Sequence, residues 1–156
     1  NQTLLTQSNF NKLRDEVKKA KTGGKEIIFT SDDDELNRKV LEKLPINILL
    51  INQMGRRDSQ KQRNSGFNQV LAKLAKKNKI KIGINLDEIV NSKSLKEKSE
   101  ILARVKQNVK LCNKNKVGME FIPQKEKSRD NYDLKALGLV LKMPTWMTSS
   151  LGSEKH

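Results

Sequence analysis

The chain has 156 residues, enough for one domain with a buried core. Its 32 Lys and Arg outnumber 18 Asp and Glu, so the net charge of +14 favours a polyanionic partner and ranks nucleic acid above a membrane surface. The longest apolar run is Ile48–Ile51, whereas a membrane-spanning helix needs about 20 apolar residues, so we expect no membrane partner. We predict a single domain over residues 1–156, with flexible ends at 1–8 and 152–156.

The cysteine content bears on the compartment of the protein. Cys112 is the only cysteine, which excludes an internal disulfide and fits the reducing cytoplasm. It falls on the apolar stripe of a predicted helix, so we interpret it as a core residue.

The first third of the chain alternates helix and strand patterns. Residues 10–20 carry an apolar helical stripe that Gly23 ends as a C-cap, and Glu26–Thr30 is a short β-branched strand. Asp32, with Glu35 three residues later, resembles a capping box at the start of the next helix, which Pro45 ends. Capping therefore explains the acidic cluster better than a metal site does.

The same alternation continues to the end of the chain. Further strands are predicted at 46–51, 80–85 and 117–122, and a long helix at Leu95–Asn115. Within this helix Leu102, Val105, Val109 and Cys112 are expected to face inward, and Arg104, Lys106, Lys110 and Lys114 outward. After a charged loop at 124–130, the last helix carries Leu134, Leu137 and Leu141, and Trp146 is assigned to the core with Met143 and Met147. The alternation predicts an α/β layer or barrel of parallel strands.

Residues 54–81 are the most basic stretch. The stretch holds nine cations against the single anion Asp58, namely Arg56, Arg57, Lys61, Arg63, Lys73, Lys76, Lys77, Lys79 and Lys81. A loop leads into a helix whose predicted apolar stripe is Phe67, Val70, Leu71, Leu74 and Ala75, so Lys73, Lys76 and Lys77 should face solvent. A Lys-rich polar face is common on solvated helices, but the arginines of the loop offer planar donor pairs that suit phosphate.

The position of the loop supports a binding site. The loop follows the carboxyl end of strand 46–51, where sheets of parallel strands usually bind their ligands. Neither Arg56 nor Arg57 falls on an apolar stripe, so we expect the fold to tolerate the loss of both.

The sequence offers little for catalysis. His156 is the only histidine, so a multi-histidine metal site or a Ser-His or Cys-His pair cannot be assembled. Asp87, Glu88 and Glu120 are the remaining carboxylates near strand ends, and no glycine-rich phosphate loop is present. Aromatic residues make up 4% of the chain, which argues against base stacking and for contact with the backbone and shape of folded RNA or a duplex.

Four segments resemble, in order and spacing, the thirty-kilodalton subunit family of archaeal and eukaryotic ribonuclease P. They are GRRD at 55–58 followed by RNSGFNQVLAKL at 63–74, IGIN at 82–85, LCNKNKV at 111–117 and DLKALG at 133–138. The resemblance implies a TIM-like α/β barrel that has no active site of its own and binds no cofactor itself. Arg56, Arg57 and Lys73 match motif positions and become candidate RNA contacts, and Arg129, ahead of DLKALG, is a looser candidate.

The resemblance also implies partners. In such an enzyme the RNA subunit, which needs Mg²⁺, removes the 5′ leader of precursor tRNA. The protein would bind this RNA together with a small partner subunit and would meet precursor tRNA indirectly. Lys61, Arg63, Lys76 and Lys77 complete the candidate RNA contacts.

Two departures from the family pattern matter. The loop is lengthened at 59–64, which leaves the placement of Lys61 and Arg63 open. The sequence shows four strand signals, whereas a TIM-like barrel needs about eight strands. The barrel is therefore expected to be incomplete or N-terminally shortened. Two alternatives stay open at this point, a metal-dependent phosphoesterase on a related barrel and a generic basic RNA-binding protein.

Overall fold

The computed structural model describes residues 1–123 and 131–149, which form one parallel sheet with helices between its strands. The strands are β1 (Gln2–Leu5), β2 (Glu26–Thr30), β3 (Ile48–Ile51), β4 (Lys81–Asn85) and β5 (Met119–Ile122). The helices are α1 (Phe10–Thr22), α2 (Asp34–Lys43), α3 (Gln69–Lys77), α4 (Leu86–Val90), α5 (Leu95–Asn115), α6 (Asn131–Val140) and α7 (Thr145–Thr148).

The strand order follows the chain from β1 to β5, and every neighbouring pair is parallel. This arrangement confirms the α/β prediction and agrees with an incomplete TIM-like barrel, in which consecutive strands also lie side by side. The sequence predicted four strands and missed β1. That strand has only four residues, alternates between exposed and half-buried positions and lies at the sheet edge, so its apolar signal is weak.

The two faces of the sheet are packed differently. The helices cover one face, where Phe29, Leu49 and Ile82 join the main core. On the other face Ile28, Ile48, Leu50 and Ile122 form a small cluster of their own. Gly83 makes this second cluster possible, because a Cβ there would lie 3.1 Å from both Ile48 Cγ2 and Ile122 Cγ1 and 3.2 Å from Leu50 Cδ1.

Several helix ends agree with the sequence signals. Gly23 is the C-cap of α1, and α5 has the predicted bounds, with Ser94 Oγ accepting from the Glu97 amide. The acidic residues before α2 do cap it, but the N-cap is Asp33 and not Asp32. Asp33 Oδ1 accepts hydrogen bonds from the Glu35 and Leu36 amides at 3.0 and 3.3 Å.

The predicted apolar stripe of α3 was wrong in one position. Val70 is 52% exposed, and Ala72 is buried in its place beside Leu71 and Ala75. The reason is local. Phe67 precedes the helix, whose N-cap is Asn68, so a 3.6-residue period counted from Phe67 adds Val70 to the stripe although Val70 lies on the exposed side.

The prediction for Trp146 needs correction, whereas the core assignment of Cys112 is confirmed. Trp146 was assigned to the core, yet it is 40% exposed and donates through Nε1 to Asn113 Oδ1 at 2.9 Å, while Met143 and Met147 are buried as expected. Cys112 is buried, and burial raises the pKa of its thiol to about 12. None of the helices in the described residues is long and apolar enough to span a membrane.

Candidate nucleic-acid interface

The basic loop, residues 52–68, leaves the carboxyl end of β3 and is held there by Glu88. The Glu88 carboxylate accepts hydrogen bonds from the Gln53 amide at 2.8 Å and the Met54 amide at 3.1 Å. Glu88 belongs to α4, a short helix that was not predicted from the sequence and that Asn85 caps. Burial raises the pKa of Glu88, against the lowering effect of the two amide hydrogen bonds. This carboxylate therefore serves to position the loop.

Arg104 of α5 is the second anchor of the basic loop. It was predicted to face outward, but it is only 3% exposed. Its guanidinium donates to the Gln53 carbonyl at 3.1 Å, the Arg56 carbonyl at 2.7 Å and Asp58 Oδ1 at 3.1 Å. The hydrogen bond from Arg104, with a further one from the Asn64 amide, lowers the pKa of Asp58. These three acceptors of the loop satisfy the buried guanidinium of Arg104, so the arginine can face inward from α5.

The returning half of the loop is attached to the same helix. Gln53 Nε2 and Asn108 Nδ2 both donate to the Ser65 carbonyl, at 2.9 and 3.1 Å. Gln107 Nε2 donates to Ser65 Oγ at 3.1 Å and to the Arg63 carbonyl at 3.3 Å. The basic loop is consequently fixed along its length by side chains of α4 and α5.

Arg56 is a structural residue in this arrangement. Its Nε donates to the Asn52 carbonyl at 2.6 Å, and its two Nη atoms pair with the carboxylate of Asp34. The guanidinium lies directly against Gly66, where a Cβ would collide with it. Gly66 also has φ +73°, so both its backbone conformation and the close approach of Arg56 require glycine.

The exposed cations of the loop are Arg57, Lys61 and Arg63. Lys61 lies in a tight turn closed by Ser59, whose amide and hydroxyl both donate to the Gln62 carbonyl at 3.0 Å. Arg57 and Arg63 line an open cavity of about 420 Å³ between the loop and α2, and Arg38 of α2 lines it too. Arg38 was not predicted from the sequence, because only the fold brings α2 against the loop.

The lysines of α3 lie outside the loop, toward the amino edge of the sheet. Because α3 connects two parallel strands, it begins near the carboxyl edge of the sheet and ends near the amino edge. A separate cavity of about 180 Å³ lies there, lined by Lys76, Lys79, Lys81 and Lys116. Lys76 Nζ donates to the Lys116 carbonyl at 3.2 Å. The structure therefore separates the predicted basic stretch into a carboxyl-edge set and an amino-edge set, with Lys73 exposed on α3 between them.

Polar side chains also line the carboxyl edge itself. Asn85 Nδ2 donates to Asn52 Oδ1 at 2.9 Å, and Asn52 Nδ2 donates to Thr30 Oγ1 at 3.1 Å. Within residues 1–123 and 131–149, no group of three or more His, Cys, Asp or Glu is placed to hold a metal ion. Arg129 and His156 lie outside the described residues.

The relatives that comparison finds share one name. The chain is 26% identical over 151 residues to ribonuclease P protein component 3 of Methanococcus maripaludis, covering 97% of this chain and 61% of that protein. Against the protein of the same name from Methanocaldococcus jannaschii it is 29% identical over 146 residues, covering 92% and 60%. No model of a known protein family matches the chain.

The fold gives the same result. A chain in a cryo-EM structure of archaeal ribonuclease P with mature tRNA superposes with a TM-score of 0.78 at 26% identity, covering 95% of this chain and 62% of that one. These similarities confirm the resemblance predicted from the sequence segments. The chain spans about three fifths of the length of the curated relatives it matches.

Proposed function

We propose that this chain acts as an RNA-binding protein subunit of ribonuclease P, supporting the RNA that removes the 5′ leader of precursor tRNA. The observation that carries the proposal is the anchored basic loop. Glu88 and Arg104 hold its backbone in one conformation, while the charged groups of Arg57, Lys61 and Arg63 are exposed at the carboxyl edge. The similarity to component 3 proteins of archaeal ribonuclease P supports the choice of RNA.

The chemistry of the loop suits a supporting role. Contacts to phosphates position a nucleic acid without reading its sequence, and arginine pairs with phosphate through two parallel hydrogen bonds. An anchored loop loses little conformational entropy on binding, so its cations can neutralise the repulsion between closely packed phosphates. In this proposal the RNA performs the cleavage with Mg²⁺, the protein binds no cofactor, and a small partner subunit acts with it. Lys73, Lys76, Lys77 and Arg129 remain further candidate RNA contacts.

Reconstituted cleavage of precursor tRNA tests the proposal. Arg57→Gln combined with Arg63→Gln should weaken the stimulation of cleavage by the RNA with its partner protein, and added Mg²⁺ should partly restore it because a divalent cation supplies missing charge. Lys12→Gln combined with Lys18→Gln on α1 is the matched control, since it removes two exposed charges from a helix that does not line the loop cavity. Circular dichroism checks the fold of each variant.

Two results would overturn the proposal. One is a folded loop variant that stimulates cleavage like the wild type even at low Mg²⁺. The other is cleavage of RNA by the wild-type protein without the RNA subunit, because an intrinsic nuclease would need an active site in the protein.

A further inference from the structure

A second basic groove runs along α5, apart from the loop cavity. Its volume is about 760 Å³, and its described lining includes four cations, Arg63, Lys106, Lys110 and Lys142. No carboxylate is found in that described lining. We call it the α5 groove. We propose that it binds the phosphodiester backbone of RNA, as a second contact for the same RNA that meets the basic loop; the inference rests on the proposed function.

The lysines of the α5 groove are presented by a rigid element. Lys106 and Lys110 are four residues apart on a helix of 21 residues, so they project from one face, about 6 Å apart along the axis. Lys142 comes from a different element, just after the end of α6. The lining also includes Leu102 and Leu141, on which the aliphatic stems of the lysines can lie while the ammonium groups stay in water.

Arg63 connects the α5 groove to the basic loop. It lines both this groove and the loop cavity, and Gln107 of α5 fixes its backbone by donating to the Arg63 carbonyl at 3.3 Å. An RNA strand bound in the loop cavity can therefore continue past Arg63 into the α5 groove. Cations from α5 and from the segment after α6, with a fixed arginine where the two cavities meet, match the regular negative charge of a nucleic-acid backbone.

The experiment measures binding of the full chain to a ribonuclease P RNA over a series of salt concentrations. Lys106→Gln, Lys110→Gln and Lys142→Gln are combined in one variant. Each phosphate neutralised contributes about 0.7 to 0.9 to the magnitude of the slope of log affinity against log salt, so loss of three contacts should reduce that magnitude by about 2 to 3. The corresponding triple change to Arg keeps the charge and should keep the slope. Lys12→Gln, Lys18→Gln and Lys19→Gln on α1 remove the same net charge elsewhere and should leave the slope nearly unchanged.

The outcomes separate this inference from the proposed function. If the wild type has no affinity for the RNA, the proposed function fails and the inference fails with it. If the wild type binds and the Arg57 and Arg63 variant is weakened, but the folded α5 groove variant has the wild-type slope, only the inference is overturned. Equal losses in the α5 groove and α1 variants would also overturn it, because net charge alone would then explain the effect. Unchanged RNA affinity with loss of a protein partner would assign the groove to an acidic protein surface instead.

Discussion

Arg56 and Asp34 form an ion pair with two hydrogen bonds, each of 3.0 Å, that joins the basic loop to the first turn of α2. The two partners differ in burial, because the side chain of Arg56 is 9% exposed and that of Asp34 is 45% exposed. Arg56 also donates to the Asn52 carbonyl. The most conspicuous arginine motif of the sequence thus divides into a structural residue, Arg56, and an exposed one, Arg57.

This division gives the first prediction. Arg56→Ala should lower the free energy of unfolding by about 1–3 kcal/mol, because it leaves the Asn52 carbonyl without its charged donor. Asp34→Ala should cost less than about 1 kcal/mol, since water screens its half-exposed carboxylate. Urea denaturation of both variants measures the difference. Equal losses would mean that the ion pair alone, and not the bond to Asn52, accounts for the role of Arg56.

The prediction revises the expectation that the fold would tolerate loss of both Arg56 and Arg57. A sequence pattern reports which residues avoid an apolar stripe, but it does not report hydrogen bonds to distant carbonyls. Arg104 is the clearest case, because its acceptors belong to residues 53–58 and only the folded chain brings them to α5.

Local signals, by contrast, predicted much of the fold. The bounds of α5 and β2 follow from capping, apolar period and β-branched composition, all of which act within a few residues. The carboxyl-edge position of the basic loop also followed from the parallel topology. The separation of the cations was missed, although the same topology implies it: a helix between two parallel strands runs back across the sheet and carries Lys76 to the opposite edge.

The second prediction concerns Glu88 and pH. Burial raises its folded pKa above the ordinary value of 4.5, so between these two values the folded state holds more protons than the unfolded state. The contribution of Glu88 to stability therefore falls as pH rises through that window and is constant above the folded pKa. Asp58 does not interfere there, because its lowered pKa makes its contribution change only below about 3.8.

Glu88→Gln tests this dependence. The variant should be less stable overall, since an amide offers one acceptor oxygen to two backbone amides, but it should lack the fall in stability that begins near pH 4.5. Denaturation of both proteins from about pH 4 to about pH 7 supplies the comparison. If the free energies of unfolding of both proteins change in parallel with pH, the environment of Glu88 does not shift its titration.

The third prediction concerns Gly83, over which three apolar side chains converge. Gly83→Ala should destabilise the fold by about 1 kcal/mol, because overpacking costs about 1–3 kcal/mol and the stiffer unfolded chain returns about 0.4–1 kcal/mol. Gly118→Ala is the matched control, since its Cβ would lie 3.4 Å from Lys81 Cγ, an ordinary contact with a flexible side chain. Chemical denaturation should therefore find the control neutral or slightly stabilised. An equal loss in both variants would rule out crowding as the cause.

The fourth prediction concerns metal content. The described residues place no group of three or more His, Cys, Asp or Glu for a metal ion, and the sequence holds one histidine. The purified protein should then carry no stoichiometric zinc, manganese or iron. Elemental analysis after dialysis measures this directly. One bound equivalent of a transition metal would favour the metal-dependent phosphoesterase over the RNA-supporting subunit.

The last prediction decides which edge of the sheet meets the RNA. If phosphate contacts dominate, log affinity for structured RNA should fall linearly with log salt, by about 0.7 to 0.9 for each phosphate neutralised. Arg57→Gln with Arg63→Gln should reduce this slope by about 1 to 2, because both residues are exposed at the anchored loop.

Lys76→Gln with Lys77→Gln removes two charges near the amino edge and should reduce the slope less. These lysines lie near the end of a nine-residue helix, so a backbone bound at the loop has to continue for roughly 14 Å to reach them. Filter binding of each variant, with circular dichroism as the folding control, gives both slopes. A larger loss in the Lys76 and Lys77 variant would move the RNA contact to the amino edge of the sheet, and equal losses would mean that the RNA spans α3 from one edge to the other.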